Sequence, residues 1–494
     1  MLNNNVQQAI EFINLHKTAN SNLCSDTRKL HAGDIFLAFK IHNHISSIEH
    51  IKTAIENKAC CIIADDNMDT AKFEHFKHLI PIIKLKDLYL YMGEIAQIFY
   101  NTNFNIPIIG VTGTNGKTSI TNWLAQYLKF LDKKAYIIGT LGSGFLDNMQ
   151  TSGFTTPDAV TLAKELNKAK ELQADIISIE VSSHGLEQRR VGGIKFHSAV
   201  FTNLTQDHLD YHETLENYIQ AKYTLFQQDI NFAIINTDDD VGQRFLKNNA
   251  KYTIGYGINQ PKTNLYIWLK SYSLSNNGYN LEIQIKWHDK IINDKIFMPI
   301  LGVFNLYNLM SCIASLLSLD YVWQTIKPIL TKIKSVAGRL EIVHINPLVI
   351  IDYAHTPDAL QQTLQTLLPM KEQRQGKLLC VFGCGGNRDA SKRAIMGKIA
   401  SNLCNEIFIT SDNPRFENPQ LIIQNIISGI NRNNYIIEEN RKEAIAQAIN
   451  TLDKQDILLI AGKGHEQYQE IQGVKYEFSD KDEALTNLEA KYAL

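Results

Sequence analysis

Apolar and polar positions divide the 494-residue chain into three successive blocks. In the first hundred residues, "GDIFLAF" and "ACCIIAD" read as short strands, and the polar helical stretch "IEHIKTAIENK" between them completes a small α/β unit. From "IPIIGV" onward, apolar β-runs alternate with helix-length segments, and "ADIISIEV", "FHSAVFTN" and "NFAIINTD" each end in polar or small residues. That rhythm predicts a parallel sheet with helical crossovers, whose ligands gather at the carboxyl ends of its strands. Over 264–299 the period changes to two, in "NLYIWL" and "YNLEIQIKW" around Asn276-Asn277-Gly278, which predicts an added antiparallel hairpin. A helix beginning near "FNLYNLMSCIASLLSL" closes this block. After "SVAGRLE" the strand and helix rhythm restarts with "LVIIDYAH", "LLCVFGCGG", "EIFITSDN" and "DILLIAGKG". The expected fold is α/β in three domains, 1–102, 103–336 and 337–494. The central one is a mostly parallel P-loop-type sheet with an added antiparallel hairpin, and the last is Rossmann-like.

Composition narrows the partners. A formal net charge of -2 provides no polycation for nucleic acid, so binding must come from local sites. The seven cysteines form no CxxC pair, which argues against a disulfide framework and a structural zinc site. Cys380 and Cys384 read as packing and loop residues. The start "MLNNNVQQAIEFINLHK" lacks a basic segment followed by a long apolar core, and no later apolar run reaches the length of a membrane span. The expectation is a cytoplasmic, monomeric protein without membrane insertion.

The strongest chemical signal is "IIGVTGTNGKTSITNWLAQYL", an apolar strand running into a glycine-rich turn, then Lys117, Thr118 and an amphipathic helix. Backbone N–H groups of such a turn wrap phosphate oxygens and the helix N-terminus favours an anion. Lys117 suits β- and γ-phosphates, and Thr118 suits Mg²⁺. The strict GxxxxGK[ST] spacing is missed, because Val111 occupies the first glycine position and the nearby glycines are Gly110 and Gly113. A phosphate loop alone serves a switch, a motor, a kinase or a ligase equally.

The string "GTNGKTS", followed in order by "EVSSHGLEQRRV", "FTNLTQDHLDYHETLENYIQAK", "GVFNLYN", "AGRLE", "DYAHTPDAL" and "SDNPR", resembles the Mur ligase family over nearly the whole chain. The resemblance implies an ATP-dependent peptide ligase of cell-wall precursor synthesis. It would join meso-diaminopimelate to UDP-N-acetylmuramoyl-L-alanyl-D-glutamate through an acyl phosphate, with Mg²⁺ neutralising the anionic oxygens. It assigns ATP to Gly113, Thr114, Asn115, Gly116, Lys117, Thr118 and Ser119, and to Asn305, Asn308, Arg339 and Asp352 with His355 beside it. It makes Thr118, Glu180 and His208 the Mg²⁺ ligands, with His212 behind them, and Lys117, Glu180, His208 and Lys222 the catalytic set. Lys222 of "YIQAK" would be carboxylated on Nζ, turning a cation that opposes the metal into an anion. Read alone, Glu180 is a helix-capping acid, His208 a loop histidine and Lys222 an exposed helix lysine.

The same resemblance carries Thr27, Thr155, Thr156, Ser182, Gln188 and Arg190 to the UDP-linked substrate, with Thr27 standing where the family usually has serine. Arg388, Asp412, Asn413, Pro414, Arg415, Gly462 and Glu466 go to meso-diaminopimelate. The zwitterionic far end of that amino acid asks for a guanidinium and an acid together, and lysine lacks the carboxylate that would meet Arg415. Without that context, Asp412 and Arg415 read as a surface ion pair. Ala337 replaces a family proline, and Asn387 replaces an acid beside Arg388. The competing readings are the lysine-adding relative or folylpolyglutamate synthase, and, from another class, a P-loop switch that hydrolyses nucleotide without an amino acid.

Overall fold

A computed structural model describes residues 3–492 apart from 42, 43, 46, 47, 67, 69–75, 103, 152, 276 and 277. The first sheet is parallel, in the order Leu23–Cys24, Ile35–Ala38, Cys61–Asp65, Ile82–Leu85. Its core of Val6, Ile13, Leu23, Ile35, Ile63 and Ile95 is continuous with Ala159, Val160 and Ala163 of the helix Ala159–Glu171. The first unit is therefore seated on the second by apolar contact, and Gln97 Nε2 adds a 2.7 Å bond to the Gly192 carbonyl.

The central sheet has eleven strands. From Ala135–Gly139 through Ile176–Glu180, Ile108–Thr112, Ser198–Phe201, Phe232–Asn236 and Tyr252–Gly257 to Leu265–Ser275, all neighbours are parallel. Buried on both faces, these strands read as unbroken apolar runs, as "IISIE" does. The expected hairpin is a three-stranded antiparallel meander, Leu265–Ser275, Gly278–Trp287 and Lys290–Met298. The pair Asn276 and Asn277, expected at its first turn, lies outside the described residues. A second antiparallel hairpin, Gly142–Phe145 with Asn148–Gln150, closes the opposite edge. Glycines and short polar residues there leave no hydrophobic alternation for the sequence to display.

The last sheet runs Glu341–His344, Leu348–Asp352, Ile457–Ala461, Leu378–Phe382, Glu406–Ile409, Tyr435–Ile437, parallel except for its first strand. Every residue of Ile457–Ala461 is buried. Fully burying each of its large aliphatic side chains contributes roughly 1.5–3 kcal/mol. Cys380 and Cys384 are buried free thiols, Cys384 Sγ lying 3.8 Å from Met396 Sδ, as packing residues should. Among the described residues, no helix is long and apolar enough to cross a membrane.

In both larger sheets the strand order reverses at the centre, and the carboxyl ends of adjacent strands open onto one side. Ile108–Thr112 lies between Ile176–Glu180 and Ser198–Phe201, so Gly113, Glu180 and Thr202 emerge side by side. In the last sheet the same geometry gathers Asp352, Gly462, Gly383 and the segment after Ile409.

Candidate active site

The loop after Ile108–Thr112 delivers the chain into the helix Lys117–Lys129. Gly116 enters that helix at φ 91°, and a Cβ there would lie 2.6 Å from Asn308 Oδ1, so both conformation and space call for glycine. The loop is tied down by residues that sequence reasoning missed. Asn203 Oδ1 accepts the Asn115 N–H at 3.0 Å, Thr202 Oγ1 donates to the Asn115 carbonyl at 2.6 Å, and Thr205 N donates to Thr114 Oγ1 at 3.0 Å. Their sequence signal was available, since "FTNLT" is the polar end of the neighbouring strand.

Lys117 Nζ donates to the carbonyls of Gly113 and Thr114, at 2.8 and 2.9 Å. Lys222, fully buried rather than exposed, donates to the same Gly113 carbonyl at 3.0 Å and lies 4.5 Å above the Tyr218 ring. Burial, with the Lys117 charge nearby, holds the Lys222 ammonium well below the ordinary lysine range. Burial also lowers Lys117.

Glu180 caps no helix; Ser182 does, accepting the Gly185 N–H at 3.0 Å. The Glu180 carboxylate accepts from Thr118 Oγ1 at 2.9 Å and from Thr140 through N at 3.0 Å and Oγ1 at 3.1 Å. Thr140 was missed, and its hydroxyl also lies 3.0 Å from that of Thr155. Thr118 and Glu180 thus present a hydroxyl and a carboxylate together, a donor set that suits Mg²⁺ completed by phosphate oxygens and water. His208 has its Nε2 3.4 Å from Asp207 and its ring 4.9 Å from that of His184. Among the described residues no three His, Cys, Asp or Glu side chains converge as a metal site. His212 is buried, with Nε2 2.9 Å from Ser183 Oγ. Ser119 is buried in the first turn of the loop helix.

The Thr156 hydroxyl bridges the Glu180 carbonyl at 2.8 Å and Ser182 Oγ at 3.0 Å. Arg190 is no solvated arginine: Nη1 donates to the Thr156 carbonyl at 2.7 Å and Nη2 to Gln188 Oε1 at 2.6 Å. Gln188 in turn donates to the Tyr211 hydroxyl at 2.8 Å. Thr27 is buried at the start of the short helix Thr27–Lys29. Its neighbour Ser25 lies 3.5 Å from Asp158, which brings the first domain to the Thr155–Thr156 segment.

From the side of the last domain, the Arg339 guanidinium lies 4.5 Å from the Tyr353 ring centre. Without proline at 337, the segment linking the central and last domains, the hinge, is held by the Glu341 carboxylate accepting the Gly338 N–H at 2.7 Å and Asp352 accepting the Leu340 N–H at 2.7 Å. Burial raises the Asp352 carboxyl. Asn305 donates to the Leu301 carbonyl at 2.7 Å and Asn308 to Asn305 Oδ1 at 2.9 Å, placing Asn308 against the phosphate loop. The His355 carbonyl accepts from Lys392 at 3.0 Å.

In the last domain, Asp412 and Arg415 do not pair with each other. Asp412 Oδ1 accepts the Asn413 N–H at 2.7 Å, and Oδ2 lies 4.0 Å from the buried Arg441, itself bound to Asp480 by two 2.7 Å contacts. Gly462, at φ 115°, leaves room for Asp412: a Cβ there would approach Oδ2 to 2.6 Å. Arg415 donates to the Gly386 carbonyl at 2.8 Å and approaches Glu470 at 3.4 Å. Pro414 precedes it within the same buried turn. Arg388 is exposed. Asn387, in left-handed backbone, accepts the Phe416 N–H at 3.0 Å, a task for which a neutral amide suffices. Asn413 Nδ2 donates to Glu466 at 2.8 Å. Lys463, Glu470 and Arg441 were missed because a single charged residue in a glycine turn, a short strand or a helix carries no periodic signal.

A phosphate loop with two lysines bonded to its carbonyls, and a cluster of paired charges at the strand ends of a separate sheet, define a phosphate-handling α/β protein of several domains. Residues 111–316 match the Mur ligase middle domain and 338–464 the Mur ligase, glutamate ligase domain. A protein of Ralstonia nicotianae named UDP-N-acetylmuramoyl-L-alanyl-D-glutamate--2,6-diaminopimelate ligase is 38% identical, covering 98% of this chain and 96% of its own. One of Neisseria meningitidis serogroup A with the same name is 40% identical over 93% and 92%. A solved structure bearing that name is 32% identical, with 95% of each chain covered and a TM-score of 0.67. The chain belongs to the Mur ligase family.

Proposed function

We propose that the protein is the ATP-dependent ligase that adds meso-diaminopimelate to UDP-N-acetylmuramoyl-L-alanyl-D-glutamate, with ADP and phosphate as the other products. The observation that carries this reading is similarity over 98% of the chain to a relative named for that reaction. In this reading 1–102 with Thr27, Thr155, Thr156, Ser182, Gln188 and Arg190 holds the UDP-linked peptide, 103–336 holds ATP, and 337–494 presents the amino acid.

A substrate carboxylate oxygen attacks the γ-phosphorus of ATP, its bond to the β–γ bridging oxygen breaks, and ADP leaves. The amine then attacks the carbonyl carbon of the acyl phosphate, the carbon–oxygen bond to phosphate breaks, and the nitrogen gives up its proton. Lys117 turns from the loop carbonyls to the phosphate oxygens and offsets their charge. Thr118 and Glu180 would hold Mg²⁺, which when bound neutralises charge on the phosphates. Burial favours the uncharged amine of Lys222, the form suited to attack CO₂ and lose a proton, giving the carboxylated lysine. Arg415 receives the distal carboxylate of the amino acid and Glu466 the ammonium beside it, with Asn413 between them and Arg388 at the rim.

The test is ADP release with UDP-N-acetylmuramoyl-dipeptide and meso-diaminopimelate, L-lysine or no amino acid, with the nucleotide product weighed by mass spectrometry. Tripeptide formation with meso-diaminopimelate alone is expected. Hydrolysis indifferent to all three additions would replace the ligase with a nucleotide switch.

A further inference from the structure

Lys463 takes no part in the reaction just described, yet its side chain is fully buried beside the amino-acid recess. Burying an ammonium is costly unless its protons are used. Here Nζ donates to Asn413 Oδ1 at 3.0 Å and to Glu466 Oε2 at 3.1 Å. Asn413 Oδ1 also accepts the Glu470 N–H at 2.9 Å, while Nδ2 donates to the same Glu466 Oε2 at 2.8 Å. The three side chains form a closed triangle. Two donors aimed at Oδ1 and a carboxylate aimed at Nδ2 fix which way the amide points. Both donors to Glu466 go to Oε2, which leaves Oε1 as the carboxylate's remaining acceptor for a ligand.

We propose that Lys463 is a positioning residue for the amino-acid substrate: it orients the Asn413 amide and holds the Glu466 carboxylate turned, ready for the substrate's ammonium. This rests on the reading that the recess takes a zwitterionic diamino acid. Because the Lys463–Glu466 pair is already formed, the incoming ammonium meets a carboxylate that needs no rearrangement, and the cost of ordering is removed from binding. Lys463 touches the two recognition side chains and not the phosphate loop, so its effect belongs to one substrate of three.

Steady-state kinetics on Lys463→Met and Lys463→Arg separate this role from a general structural one. In Lys463→Met the KM for meso-diaminopimelate rises at least about 30-fold, as for one partner removed from a desolvated pair, while the KM values for ATP and the UDP-linked peptide stay within about twofold. Lys463→Arg, which keeps the charge and the donors, remains closer to the wild type. An unchanged or lowered KM for meso-diaminopimelate, or a common rise in all three, would overturn the proposal. Should Lys463→Met fail to fold, Lys463→Gln keeps a donor to Asn413, drops the charge and is held to the same comparison. Failure of the wild-type enzyme to turn over meso-diaminopimelate at all would instead remove the substrate assignment, and this role with it.

Discussion

The two charged sites are built on opposite plans. At the phosphate loop, Lys117 and Lys222 spend their donors on backbone carbonyls, meeting at that of Gly113. In the last domain four cations on and around the Asp412–Arg415 segment have carboxylates: Lys463 has Glu466, Arg415 has Glu470, Arg393 has Glu417 and Arg441 has Asp480. A site whose lysines rest on carbonyls waits for an anion that the substrate brings, and carbonyl bonds are readily exchanged for phosphate. A site of matched pairs has no net charge to offer and must choose its ligand by the geometry of both signs. Chemistry is placed where the lysines rest on carbonyls, and selectivity where charge is balanced.

The hardest blow to this contrast falls on Lys222. Lys222→Ala is expected to lower kcat for ADP formation by about 10³-fold, the scale of losing a preorganised electrostatic group. Full turnover in that variant would reduce Lys222 to a packing residue. On the matched side, the strongest test is of stability. Asp480→Ala leaves the fully buried Arg441 without its carboxylate, and urea unfolding should show a loss of about 4 kcal/mol. A loss under about 1 kcal/mol would mean that water reaches Arg441 and that the pair behaves as a surface one.

How much of this was legible in the sequence follows the same division. The apolar strands were legible because burial on both faces writes them as continuous runs, and the meander because one face is wet. The hairpin Gly142–Phe145 with Asn148–Gln150 was not, because glycines and short polar residues surround the only large apolar side chains of its strands, Phe145 and Met149. The phosphate loop is contiguous, so its residues were found together; Asn203, Thr140 and Tyr218 come from other strands and helices and only the fold brings them in. "SDNPR" was legible as a motif but not as geometry. Adjacency suggested that Asp412 and Arg415 pair, whereas the turn sends them to Arg441 and Glu470.

Arg415 sharpens the comparison at the level of selectivity. Arg415→Met should raise the KM for meso-diaminopimelate by about 100-fold, and it should narrow the preference over L-lysine, since no guanidinium remains to reward the ligand that carries a distal carboxylate. Competition assays with both amino acids read this directly. A preference unchanged in Arg415→Met would place selectivity elsewhere in the recess.

The smallest effect concerns His465, which packs against Gly338 of the hinge. Its ring lies 5.3 Å from that of Tyr353, and burial together with the Arg339 charge holds its pKa down to about 4. Between that value and the ordinary histidine value of 6.5 the unfolded chain binds the extra proton and the folded one does not. Stability is therefore full above pH 7 and is lost as pH falls through that window. Allowing for partial exposure of the ring, the loss at pH 5 is about 1.5 kcal/mol. His465→Gln removes the titration, so urea unfolding at pH 7.5 and 5 should show a smaller difference for the variant than for the wild type. Equal differences would mean that the hinge opens enough for the imidazole to charge in place, and that the balanced plan of the last domain stops short of its border with the phosphate loop.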